Sequence, residues 1–138
     1  MKVIIDCNVW ISFLLGFQKE LMHNVLTNEH IDVYVCPQLM YEIRDVASRP
    51  KIRSRIAEDD LEQLFRLIKA YCISTNIQKT ADVYIRDNKD LYLLSFAESI
   101  EADYIISGDS DLTCIEKHRD TSILSPAQFR LVIIPQKQ

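Results

Sequence analysis

The sequence predicts an α/β fold, a three-layer sandwich with a central, mainly parallel sheet flanked by helices. Short β-branched apolar runs alternate along the chain with stretches of helical apolar spacing, the pattern of βαβ units. The first run, Lys2–Ile5, is continuously apolar, as a parallel strand covered on both faces is. The 138 residues, 48% of them apolar and 26% charged, have the size and composition of one globular domain, 1–138. Such a chain buries about two-thirds of its unfolded surface and needs no disulfide or metal to hold its core.

The elements follow in order. After strand Lys2–Ile5, Asn8 is expected to cap a helix with Val9, Ile11, Leu14 and Leu15 on its apolar face. Gly16 ends or bends that helix, and Glu20–Thr27 continues as another. Ile31–Cys36 alternates and is rich in β-formers, a second strand. Pro37 suits the first turn of a helix carrying Leu39, Met40, Ile43 and Val46, closed by Arg49-Pro50. Ile52–Ile56 reads as a short helix. Glu58, Asp59 and Asp60 favour the N-terminus of the next, whose stripe is Leu61, Leu64, Phe65 and Ile68. Tyr71–Ser74 is a brief strand, and 75–89 has no clean period and reads as loop. Asp90–Ile100 is helical, Ala102–Ser107 a strand, Gly108 a turn, and Leu112–Glu116 a short helix. Thr121–Leu124 is a last strand, and Ser125-Pro126 caps and opens a closing helix.

Several function classes are excluded at once. Two glycines in the chain leave no glycine-rich phosphate loop, neither a Walker A nor a dinucleotide fingerprint. Cys7, Cys36, Cys72 and Cys114 form no C-x-x-C pair, and His23, His30 and His118 are scattered, so a thiolate or histidine zinc site is not expected. No apolar run has the ~20 residues of a membrane span, and the N-terminus has no signal-peptide pattern. The expectation is a cytoplasmic protein in a reducing compartment, with no membrane partner. A formal charge of −4 argues against a general nucleic-acid binder but leaves room for an enzyme whose acids recruit a divalent cation.

Ligands of open α/β sheets bind beyond the carboxyl ends of the strands. Asp6 stands there after the first strand, and Asp109 and Asp111 follow Ala102–Ser107. Glu42 lies on the helix after Pro37, and Asp90 opens a later helix. Taken singly, these acids read as helix caps, turn formers or exposed helical residues. Clustered, they repel one another, and a cation among them relieves that; hard oxygen ligands suit Mg²⁺ or Mn²⁺.

The motifs together carry more. Asp6-Cys7-Asn8 after an N-terminal strand resembles the opening of PIN-domain nucleases. Pro37-Gln38-Leu39-Met40-Tyr41-Glu42-Ile43, with Arg49-Pro50-Lys51 after it, resembles their second acidic motif, and Arg86-Asp87-Asn88-Lys89-Asp90-Leu91-Tyr92 their third. Ala102-Asp103-Tyr104-Ile105-Ile106-Ser107-Gly108-Asp109-Ser110-Asp111-Leu112, the most specific stretch, is similar to the fourth. Ile123–Phe129 is similar to the closing segment. The subgroup resembled is the VapC-like toxin component of bacterial toxin–antitoxin pairs.

The resemblance implies an Mg²⁺- or Mn²⁺-dependent endoribonuclease with one or two metal ions. Asp6, Glu42, Asp90 and Asp109 match the acidic quartet, Asp111 an additional metal-site acid, and Asn8 the supporting polar residue. The metal set would be Asp6, Asp90, Asp109 and Asp111, with Asp87 a substitute for Asp90 by spacing. Asn88 departs from a common proline, Leu91 from a second acid, and Thr113 from a leucine.

The implied partners are an RNA substrate and a cognate antitoxin. Arg44, Arg49, Lys51, Arg53 and Arg55 follow Glu42, and Lys79, Arg86 and Lys89 precede Asp90; of these Arg44, Arg49, Lys51 and Arg86 are the candidate RNA contacts. Trp10, Ile11, Phe13, Leu14 and Phe17 give the first helix more apolar surface than one buried side needs, which predicts a homodimer or an antitoxin contact. Two alternatives compete. One is a degenerate PIN scaffold that binds RNA or protein without cutting. The other is a haloacid dehalogenase-like phosphatase, which would want a second acid where Asn8 stands.

Overall fold

The computed structural model describes residues 1–78 and 91–133. Strand β1 (Lys2–Ile5) leads into helix α1 (Cys7–Leu14), and α2 (Lys19–Thr27) into β2 (Asp32–Val35). Then come α3 (Pro37–Ala47), α4 (Pro50–Arg53), α5 (Asp60–Tyr71) and β3 (Cys72–Ser74). After them α6 (Leu91–Ile100), β4 (Tyr104–Ile106), α7 (Ser110–Thr113), β5 (Lys117–His118), β6 (Thr121–Leu124) and α8 (Pro126–Ile133) complete the order.

The sheet has six strands in the order β3-β2-β1-β4-β6-β5. All neighbours are parallel except β5, which pairs antiparallel with β6. Val3 lies opposite both Val33 and Tyr104, so β1 is central. Val3, Ile4 and Ile5 are each 0% exposed. Successive strand residues point to opposite faces, so both faces of β1 are covered, as a sandwich of three layers requires. Helix α1 packs on α3 and α5, α2 on α8, and α6 on β1. Trp10, Phe96 and Phe129 are the largest fully buried side chains.

Strand order reverses at β1. The chain leaves it towards β2 and β3 on one side and returns to β4 on the other. The connections part at the carboxyl ends of β1 and β4, the place where open α/β sheets bind their ligands.

The structure departs from the sequence reading in local ways. Asp6, not Asn8, is the N-cap of α1; its extended backbone and its carboxylate, which accepts from the Cys7 amide, fit that role. Asn8 lies inside the first turn. The helix expected at 52–56 starts earlier, at Pro50, where a proline suits the first helical position. The loop expected over 75–89 is described only to residue 78, and Asp90 lies outside the described residues; α6 begins at Leu91.

The two-residue β5 has no apolar pattern to announce it. It is held from outside by Glu98 of α6, whose carboxylate meets His118 Nε2 at 2.9 Å and Arg119 Nε at 3.0 Å. Arg119 turns the β5–β6 hairpin with a left-handed φ of 53°. At the far end of the chain, Ser125 Oγ accepts from the Gln128 amide while Gln128 Oε1 accepts from the Ser125 amide, a reciprocal capping box for α8.

The start of β6 is fixed by one buried hydrogen bond, from Thr121 Oγ1 to the Ala102 carbonyl at 2.6 Å. Thr121→Val keeps the shape and removes the donor. Urea unfolding should show a loss of about 1–2 kcal/mol, the usual cost of a buried acceptor left unpaired. An unchanged midpoint would mean the bond does not anchor the strand.

Candidate active site

Strand β1 ends by donating the Asp6 amide to the Ile106 carbonyl of β4, 2.9 Å away. This places Asp6 at the reversal of strand order. Its side chain is 3% exposed. Oδ1 accepts from the Cys7 amide at 2.6 Å. Oδ2 accepts from Ser107 Oγ at 2.7 Å and from Asn8 Nδ2 at 3.1 Å. The carboxylate is therefore fixed from both strands.

The same hydrogen bonds position the β4 end. The Asp109 amide donates to Ser107 Oγ at 3.0 Å, and the Gly108 amide donates to Asn8 Oδ1 at 3.0 Å. Asp109 in turn caps α7, its Oδ1 accepting from the Asp111 amide at 2.9 Å. Asn8 thus touches both sides of the crevice through one amide group.

Glu42 reaches the crevice from α3 and accepts a hydrogen bond from the Tyr92 hydroxyl of α6. The negative charges of Glu42 and Asp109 both act on Asp6. Burial is the largest influence and raises the Asp6 pKa. The Ser107 hydrogen bond lowers it, Glu42 raises it, the Cys7 amide lowers it and Asp109 raises it. The net result is a carboxyl pushed up to about 6. Among the described residues no lysine or arginine forms an ion pair with Asp6, Glu42 or Asp109.

The neighbouring nucleophiles are quiet. Burial pushes the Cys7 thiol up, and Glu42 and Asp6 push it further, so it stays protonated. Burial and the bond to Glu42 also raise the Tyr92 phenol, which remains a donor. Ser107 Oγ is engaged by Asp6 and the Asp109 amide.

Glu42 and Asp109 lie close enough for their charges to act on Asp6, and Asn8 is hydrogen-bonded to both strand ends. Asp111 lies half-buried in the first turn of α7. Asp90, Asp87 and Arg86 lie outside the described residues. Among the described residues, no three acids, histidines or cysteines are grouped so as to hold a metal ion. The donor set that is present, carboxylates without a paired cation, is of the hard-oxygen kind.

The cationic candidates divide. Arg44 stacks its guanidinium over the Phe65 ring, 4.6 Å from the centroid. It stands two residues from Glu42, about 200° around the helix, and so faces away from the crevice. Arg49 pairs with Asp45 at 3.0 Å beside Glu42, and Lys51 is exposed on α4. Trp10 is fully buried and is core; Phe17, 57% exposed, is the aromatic of that stretch left at the surface.

Sequence reasoning did not single out Ser107 or Tyr92. A hydroxyl at the end of an apolar strand, just before Gly108-Asp109, was a readable signal for the first. Tyr92 gave none, because an aromatic in a helical apolar run reads as core.

No curated protein matches the chain. Among solved structures, it is similar to VapBC2 from Rickettsia felis, bound there to a DNA fragment from its promoter. That likeness has a TM-score of 0.62 and 11% identity over 91% of this chain and 98% of that one. It is also similar to the PIN domain of human SMG5, with a TM-score of 0.53 and 12% identity over 96% of this chain and 98% of that one. At such identities the likeness is one of fold. The sequence itself matches the PIN domain family over residues 2–111, from the first strand through Asp111, and the chain belongs to that family.

Proposed function

We propose that the protein is a metal-dependent endoribonuclease, hydrolysing RNA phosphodiester bonds as the toxin of a toxin–antitoxin pair in the cytoplasm. The observation that carries this reading is Asp6: a carboxylate almost wholly buried at the strand-order reversal, facing Glu42 and Asp109 with no cation paired to them among the described residues. Membership of the PIN domain family supports the nuclease assignment. Asp6, Glu42, Asp90 and Asp109 would form the acidic quartet, and Asp6, Asp90, Asp109 and Asp111 would hold Mg²⁺ or Mn²⁺. When bound, the metal supplies charge neutralisation at the phosphate and acidifies a water.

The chain's own residues do the rest. Asn8 and Ser107 hold the Asp6 carboxylate in one orientation. Tyr92 holds Glu42. A carboxylate of the cluster takes the proton of the attacking water, and the ribose 3′ oxygen leaves in line. No side-chain nucleophile takes part, in keeping with the protonated Cys7 and the engaged Ser107.

A phosphatase that forms a phosphoaspartate on Asp6 is disfavoured, because it would need a second acid where Asn8 stands, and the Asn8 amide is hydrogen-bonded to Asp6 and Gly108. A second PIN reading is a scaffold that binds RNA or protein without cutting. Cleavage of single-stranded RNA in Mn²⁺ separates the two.

The antitoxin or a second copy would dock on the surface near the α1 end. A groove of about 490 Å³ there is lined by Phe13, Leu14, Leu15, Leu64 and Leu67 among others. Trp10 and Ile11, by contrast, are buried in the core.

In a cleavage assay with single-stranded RNA, Asp6→Asn should reduce the rate by at least about a hundredfold, as loss of a metal-site carboxylate does. Asparagine caps a helix as well as aspartate. Retained cleavage would therefore reduce Asp6 to a cap. For the parent, Mn²⁺ at tens to a hundred times its dissociation constant should stabilise the fold by about 2–3 kcal/mol. A melting curve that does not move with Mn²⁺ would count against the metal site.

The raised pKa of Asp6 fixes the sign of a pH effect. Between the unfolded value of 3.8 and the folded value of about 6, the folded chain holds a proton that the unfolded chain has released. The metal-free protein should thus lose stability as pH rises through that window, by about 1–3 kcal/mol from this group. Asp6→Asn should flatten the change. Chemical denaturation at pH 4 and pH 7 in EDTA, for parent and variant, measures it.

A further inference from the structure

A crevice of about 630 Å³ opens beside Glu42, between α3 and the start of α6. Pro37, Tyr41 and Asp45 recur every four residues along α3 and line it together with Glu42, Arg49 and Tyr92. Tyr41 is 74% exposed, the most exposed of the large apolar side chains described. Tyr92 is half-buried and reaches inward to Glu42. The crevice therefore runs from an open aromatic face to one of the acids of the proposed active site.

Its charge decides what it can hold. Among the described residues that line it, Glu42 and Asp45 are acidic, and the one cation, Arg49, is paired with Asp45. A phosphate would meet two carboxylates and a neutralised guanidinium. A flat uncharged ring meets an exposed phenol face, apolar walls and, at the rim, both donors and acceptors. The volume is within the range of small-ligand sites, enough for a nucleoside.

We propose that this crevice is a nucleobase subsite, in which the base adjoining the scissile phosphate of single-stranded RNA stacks on Tyr41. The proposal rests on the nuclease reading above and deepens it. The Asp45–Arg49 pair presents hydrogen-bonding groups to the edge of that base. Because Glu42 belongs to both the crevice and the acidic cluster, a base seated there places its neighbouring phosphate at the acids.

The test compares Tyr41→Leu and Tyr41→Trp with the parent. Binding of a fluorescein-labelled single-stranded oligoribonucleotide is read by anisotropy in an Asp6→Asn background, and cleavage in the Asp6 protein with Mn²⁺. Tyr41→Leu should weaken binding about 5- to 100-fold, the range of one base–aromatic stack, and raise KM with it. Tyr41→Trp should bind as the parent or tighter. Neither should shift the metal-free melting temperature, since Tyr41 is exposed. Removing a single base from the RNA should reproduce the loss at one position only, and there Tyr41→Leu should cost nothing further. If Tyr41→Leu binds and cuts like the parent, or if every abasic position weakens binding equally, the subsite is wrong and the nuclease reading stands. If the parent neither binds nor cuts RNA, both are wrong.

Discussion

Most of the structure can be read from the burial of one carboxylate. Asp6 ends the central strand, caps the helix that follows, and accepts hydrogen bonds from Cys7, Asn8 and Ser107. A buried charge of this kind is costly unless its oxygens are satisfied. Here they are satisfied by groups drawn from both β1 and β4 ends. The requirement ties residues a hundred positions apart into one unit, because Ser107 cannot serve Asp6 unless β4 lies beside β1 in the observed register.

The topology makes this possible. With β2 on one side of β1 and β4 on the other, the loops above the two strand ends part. Asn8 and Gly108 fill the floor of the gap by a single hydrogen bond. Glu42 and Asp109 do not neutralise one another; each adds to the proton affinity that burial already gives Asp6.

Much of this was legible in the sequence, and the rest was not for identifiable reasons. The alternation of Lys2–Ile5 and later strands with apolar helical stripes gave the fold class, because burial on both faces leaves a continuous apolar run. Pro37 and Pro126 mark helix starts through their fixed φ, whereas Pro50 reads as the end of one helix and in fact opens the next. Asp6 and Asp109 are legible because each stands just past the end of a β-rich apolar run. The cap was placed two residues late, at Asn8, because aspartate and asparagine cap equally well and only the backbone angles at Asp6 decide between them. β5 escaped since its two residues are held by the side chain of Glu98 and not by any pattern of their own. Tyr92 escaped because its ring behaves as core and only its hydroxyl acts on Glu42. Arg44 was read as a charge, whereas its planar group lies on Phe65.

The double use of Asp6 bears on how such a chain stays folded. As a cap it contributes stability that asparagine would match. As a buried acid with a pKa near 6 it opposes folding at neutral pH in a way that asparagine would not. A residue kept only for stability would lose nothing by the exchange of its charge. The surrounding bonds point the same way: Asn8 turns its amide nitrogen and Ser107 its hydroxyl towards a group that can only accept, while the Asn8 and Ser107 oxygens accept from the Gly108 and Asp109 amides. An asparagine amide at position 6 would keep the shape and the cap, with the second lone pair of Ser107 Oγ as an acceptor once that hydroxyl rotates, but it would lose the hydrogen bond from Ser107 and the charge. The hydrogen-bond directions therefore suit a carboxylate at position 6, although a neutral cap would serve the helix.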